Sequence, residues 1–119
     1  MKKTRNGTFF ASANRGLVRV HNEDVASVII NANNDVLLVV ADGMGGYKKG
    51  DYAAKVAVDI LVERFKNHPK FFLSSSIIRF FRRAVKEANR VIFQESQTDP
   101  ELKNMGTTLV AALIHNNRL

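Results

Sequence analysis

This chain predicts a mixed α+β domain with an incomplete sheet, on three observations. Two strand-like runs, Val25 to Ile30 and Val36 to Ala41, flank a short polar turn. Two stretches with helical apolar spacing then follow one another, at residues 53–65 and 77–92. A last apolar run, Thr107 to Ile114, is followed by a turn signal and little else. Strands and helices grouped in succession, not strictly alternating, read as α+β.

Each element has its own warrant. Residues 1–7 are basic and polar and are expected to fray. Thr8 to Ala13 is a candidate first strand, and Asn14-Arg15-Gly16 is a turn signal. Val25 to Ile30 is rich in β-branched residues. Asn31-Ala32-Asn33-Asn34-Asp35 then turns the chain into Val36 to Ala41, making a hairpin. Ala53, Val56, Ala57, Ile60, Leu61 and Phe65 share one helical face, with Asp51 as a cap or first-turn acid. That helix should stop near Asn67-His68-Pro69. The second helix spans roughly Ser74 to Ser96, with Ser74 as candidate N-cap and Asp99-Pro100 closing the segment. Its apolar stripe is Ile77, Phe81, Ala84, Val85, Ala88, Val91 and Ile92.

Thr107 to Ile114 is apolar on both alternating faces, which predicts burial on both sides. Asn116-Asn117-Arg118 reads as a hairpin turn, and Leu119 is where a return strand would begin. A buried strand needs partners. The expectation is therefore an unfinished domain.

Composition narrows the function classes. With 119 residues the chain holds one domain at most. Its net charge is +7, from 18 Lys and Arg against 11 Asp and Glu. Such a balance suits nucleic acid or a membrane surface. The basic residues are scattered, however, so a solvated surface is the reading, and neither nucleic acid nor a membrane is expected as a partner. There is no cysteine, which excludes disulfides and Cys-ligated zinc. Met1-Lys2-Lys3-Thr4-Arg5 is not followed by the apolar stretch of a signal peptide, and no apolar run is long enough to span a bilayer. A cytoplasmic location is expected.

The chemistry concentrates in two places. Asp42-Gly43-Met44-Gly45-Gly46 directly follows the apolar run ending at Ala41. A carboxylate and a neighbouring carbonyl are oxygen ligands suited to Mg²⁺ or Mn²⁺, and glycines let the backbone approach an ion closely. The competing reading is an ordinary turn begun by Asp42, with the glycines supplying positive φ. Upstream lies Arg19-Val20-His21-Asn22-Glu23-Asp24. Glu23 and Asp24 are adjacent carboxylates that reach one site only from a loop or bulge, because neighbouring strand residues face opposite ways. Arg19 either holds a phosphate with its planar fork or pairs with Glu23 four residues on. His21 is either a proton shuttle or a solvated loop residue. Arg79, Arg82, Arg83, Lys86 and Arg90 form a basic stripe on the second helix, without interleaved aromatics, and read as a solvated face. His68 and His115 carry no signal.

Three segments in order, Gly16 to Asp24, Val39 to Gly46 and Met105 to Leu109, closely resemble three motifs of the PPM-type (protein phosphatase 2C-like) serine/threonine phosphatases. The Met in Asp-Gly-Met-Gly-Gly looks like the bacterial branch. The resemblance implies an α-β-β-α layered β-sandwich flanked by antiparallel helix pairs, with two Mg²⁺ or Mn²⁺ ions in a cleft. It implies hydrolysis of phosphoserine and phosphothreonine by a metal-activated water. Carried over to this chain, Asp42 would bridge the metals, the Gly43 carbonyl would bind one of them, and Glu23 would hold a metal-bound water. Asp24 would support the water network, and Arg19 would hold the substrate phosphate. The partners implied are phosphoprotein substrates and a serine/threonine kinase. The later aspartate motifs of that family are not in this sequence. Residues 1–119 are therefore expected to be the N-terminal portion of such a domain, inactive by themselves. Two other readings are a non-catalytic binding or regulatory module that reuses half the fold, and a nucleic-acid binder using the basic stripe.

Overall fold

The computed structural model describes residues 2–4, 7–9, 24–45 and 47–116. Its elements are β1 (Lys2–Thr4), β2 (Gly7–Phe9), β3 (Asp24–Ile30), β4 (Val36–Met44), α1 (Tyr47–Lys66), α2 (Ser74–Thr98) and β5 (Gly106–Ile114), with a 3₁₀ turn at Pro100–Leu102 before β5. Within the terminus expected to fray, Lys2–Thr4 and Gly7 are instead strand residues: β1 pairs antiparallel with β2, with Lys3 opposite Thr8. Of the expected first strand, Thr8 and Phe9 belong to β2, and 10–13 lie outside the described residues. The turn expected at residues 14–16 lies outside them as well.

The larger sheet has the order β3-β4-β5, all antiparallel, with β4 in the centre. The turn between β3 and β4 is built by Asn31. Its Oδ1 accepts from the backbone N–H groups of Asn33 and Asp35, each at 3.0 Å. Asn34 takes the left-handed conformation (φ 64°) that asparagine tolerates. Asp35 is buried, and its Oδ1 lies 2.8 Å from Nδ1 of His115, tying the hairpin turn to the end of β5. His115 thus has a structural partner that its isolated place in the sequence does not show.

Both helices pack on one face of this sheet. Leu37, Val39 and Ala41 of β4 and Leu113 of β5 bury against Ala54, Val58, Leu61 and Phe65 of α1 and Phe80 and Ala84 of α2. A second cluster joins Ala53 and Ala57 of α1 to Ala88 and Ile92 of α2 and to Met105. Alanines at the helix contact keep the two backbones close. The helices run antiparallel, since Tyr52 meets Glu95 at one end while the rings of Phe65 and Phe80 meet at the other. Arg64 and Glu87 add an ion pair between them.

Several expectations need correction. Asp51 is the fifth residue of α1 and lies beyond its first turn, which contains no acid. The helix begins earlier because Gly50 belongs inside it, pressed against β4. Ser74 is the first helical residue of α2, not its cap; Leu73 holds the cap position without a side-chain hydrogen bond. Asp99 does cap the following 3₁₀ turn, accepting from the Glu101 N–H at 2.9 Å. The two-sided burial predicted for Thr107 to Ile114 is not found: Val110 is 71% exposed. Helices cover one face of the sheet, and among the described residues nothing comparable covers the other at this point. α1 ends where Asn67 turns back onto Glu63, just before Pro69.

Candidate metal centre

The site is built on the last three residues of β4. This strand does not stop at Ala41 but continues through Asp42, Gly43 and Met44, paired with Thr108, Thr107 and Gly106 of β5. Asp42 is therefore a strand residue, and the simple turn reading does not hold there. Among the described glycines a positive φ appears at Gly45 (106°), where a Cβ would also sit 3.1 Å from the Asn104 carbonyl oxygen.

Strand alternation separates the roles of Asp42 and Gly43. Gly43 is buried and faces α1. A Cβ added there would lie 1.9 Å from the Gly50 carbonyl oxygen and 2.6 Å from its Cα. Only glycine admits that contact, so Gly43 is required by the seating of α1 on the strand. Asp42 projects from the opposite face and is exposed.

The sheet register gives Asp42 its neighbours. Asp24, the first residue of β3, is directly opposite it on one side, and Thr108 is opposite on the other. The Thr108 hydroxyl donates to the Asp42 backbone carbonyl at 3.3 Å, fixing the strand at this point. The β5 ladder continues past Asp42 to Gly106. Asp42 offers an exposed carboxylate beside the backbone carbonyl of Gly43, and oxygen donors of this kind suit Mg²⁺ or Mn²⁺.

Of the residues singled out in the sequence, the structure brings together Asp24, Asp42, Gly43 and the Gly106-Thr107-Thr108 segment. Arg19, His21, Glu23 and Gly46 lie outside the described residues. Among the described residues no three His, Cys, Asp or Glu side chains gather as a metal cluster. In the sequence Thr108 is marked only as part of the Gly106-Thr107-Thr108 segment, and the register of β4 against β5 is what sets it beside Asp42. The basic stripe of α2 does face solvent: Arg79, Arg82, Arg83, Lys86 and Arg90 are all exposed.

A second polar contact lies along the helix pair. The Tyr52 hydroxyl donates to Glu95 Oε1 at 2.8 Å. This hydrogen bond, with partial burial and the charges of Glu95 and Asp99, raises the tyrosine pKa above its usual value.

A three-stranded sheet backed by two antiparallel helices, with an acidic strand end on its open face, is a known arrangement. The family model for protein phosphatase 2C matches residues 18–119, and the chain belongs to that family. It is 36% identical over 105 residues to the serine/threonine phosphatase stp of Listeria monocytogenes, covering 88% of this chain and 42% of that one. It is 36% identical over 111 residues to the serine/threonine protein phosphatase PstP of Mycobacterium tuberculosis, covering 93% of this chain and 20% of that one. The solved structure of the serine/threonine phosphatase Stp1 from Staphylococcus aureus superposes with a TM-score of 0.77 at 35% identity, covering 87% of this chain and 40% of that one. A structure of the catalytic domain of PstP in complex with two manganese ions superposes at 0.69 and 33% identity, covering 87% of this chain and 41% of that one. The chain thus spans about two fifths of the length of the Listeria relative.

Proposed function

We propose that this chain is the N-terminal portion of a metal-dependent protein phosphatase domain that hydrolyses phosphoserine and phosphothreonine. The observation that carries the reading is the register that sets Asp42 between Asp24 and Thr108 at one end of the sheet, in a chain of this family. Asp42 and the Gly43 carbonyl would hold Mg²⁺ or Mn²⁺, with Glu23 placing a water and Asp24 supporting it. When bound, such ions lower the pKa of a coordinated water and stabilise charge on the phosphoryl oxygens. Arg19 would hold the substrate phosphate through two parallel hydrogen bonds. The implied partners are phosphoproteins and the serine/threonine kinase that modifies them, in the cytoplasm.

Within the 119 residues, Glu23, Asp24 and Asp42 are the acidic candidates for this site. The chain by itself is therefore expected to show no measurable turnover of a phosphopeptide. Manganese-dependent turnover abolished by Asp42→Asn would overturn that expectation while keeping the phosphatase reading. The direct test of the site is calorimetric titration of the chain with Mn²⁺. Asp42→Asn should weaken binding at least about tenfold. Its far-UV circular dichroism should be unchanged, because Asp42 is exposed. Equal Mn²⁺ affinity in the two proteins would remove Asp42 from the metal site.

A further inference from the structure

The end of the helix pair remote from Asp42 has a surface that catalysis does not use. α1 has 20 residues and is thus about 30 Å long. Its first turn is seated on Gly43, so its last turn and the connection to α2 lie at the opposite pole. There Phe71 is buried, stacked on the His68 ring with centroids 4.3 Å apart and edge-on to Phe80 at 5.7 Å. That anchor fixes the connection. The two residues after it are presented outward: Phe72 is 82% exposed and Leu73 67% exposed. They are the most exposed large apolar residue and one of the next most exposed among those described.

Cations outnumber acids at this pole, where Arg64, Arg79 and Arg83 line a recess with Glu63 beside His68 and Pro69. Lys70 places its Nζ 5.9 Å from the centre of the Phe72 ring. Lys66 lies in the last turn of α1, and Arg79, Arg82 and Arg83 lie on the first turns of α2, all exposed. α2 begins without an acidic residue in its first turn and without a side-chain cap, so its positive dipole end is unopposed there. We infer that this pole is a peripheral docking tip for an anionic lipid surface. Phe72 and Leu73 enter the headgroup region while Lys70 and the Lys and Arg of the neighbouring helix turns meet the lipid phosphates.

Charge complementarity requires an anionic occupant, and two consecutive exposed apolar residues at a helix connection suit insertion between headgroups. A protein partner of the helix-in-groove or strand-addition kind needs a groove or a free edge, and Phe72 and Leu73 line neither the recess at His68 and Pro69 nor a strand. The expectation of no membrane partner rested on the scatter of basic residues along the sequence, with no apolar run long enough to span a bilayer; the fold places Lys66, Lys70, Arg79, Arg82 and Arg83 near one helix connection. Docking at a surface requires only an apolar tip and a basic surround. The length of α1, about 30 Å, separates this pole from the Asp42 end of the sheet. The inference stands independently of the metal site.

The test is co-sedimentation of the 119-residue chain with vesicles of phosphatidylcholine alone and of phosphatidylcholine mixed equally with phosphatidylglycerol. Binding is expected to the anionic vesicles only and should weaken as salt is raised. The double variant F72S/L73S should lower the partition at least about tenfold while keeping its circular dichroism, because both side chains are exposed. The triple variant R79Q/R82Q/R83Q should also lower it. Equal binding to neutral vesicles, undiminished binding by F72S/L73S, or no binding to anionic vesicles at low salt would each overturn the inference. Capture by polyglutamate without vesicle binding would overturn it too, in favour of an acidic protein partner.

Discussion

The two faces of β4 divide the work of this molecule. On one face Leu37, Val39, Ala41 and Gly43 are buried beneath α1 and α2. On the other, Val40 is 49% exposed, and Asp42 and Met44 are exposed as well. A single strand carries both because its side chains alternate. The buried face supplies the stability, and the open face presents the carboxylate. What joins them is Gly43, which lets α1 press on the strand one residue from Asp42. The position of the site is therefore set from behind, by packing that never touches the ligand.

The sharpest way to separate the faces is Gly43→Ala. A methyl placed 1.9 Å from the Gly50 carbonyl has no side chain to push aside, only helix backbone. Urea unfolding should show a loss of about 3 kcal/mol or more, or no folded state at all. A destabilisation below about 1 kcal/mol would mean that α1 is not seated as described. Next in size is the contrast of Leu37→Ala with Val40→Thr. Leu37 is fully buried, and its truncation should cost about 2–5 kcal/mol. Val40 faces outward, and its replacement should change stability by about 0.5 kcal/mol or less. Comparable losses at both positions would show that the open face is covered in solution. The smallest effect concerns the helix pair. Tyr52 has a raised folded pKa, chiefly through its hydrogen bond to Glu95. Its contribution is present below the unfolded tyrosine pKa of about 10 and is lost as pH rises through the higher folded value. Alkaline titration of stability should show that loss in the natural chain and not in Tyr52→Phe.

Much of this was legible in the residues. Period-two and period-three-to-four apolar spacing located β3, β4, β5 and both helices, because burial of one face is a local property of the pattern. Asp42 stood out because a carboxylate joined to a buried strand and followed by glycines is chemically conspicuous. What was not legible depended on contacts distant in sequence. That Gly43 is also the seat for Gly50 of α1 was not visible in the sequence. Val110 looked buried because its residue type is apolar, yet exposure depends on what covers the sheet. Ser74 looked like a cap, but capping depends on where the helix begins, and α2 begins at Ser74 itself, leaving Leu73 at the cap position.

The sequence by itself determined the order of elements, the apolar faces and the acidic and basic residues available for chemistry, since each follows from local side-chain type and spacing. Only the tertiary structure decided that Asp42 stands between Asp24 and Thr108, that Gly43 belongs to the helix contact, and that Phe72 and Leu73 crown the far pole. Register and close approach are relations between segments tens of residues apart, and they exist only once the chain has packed.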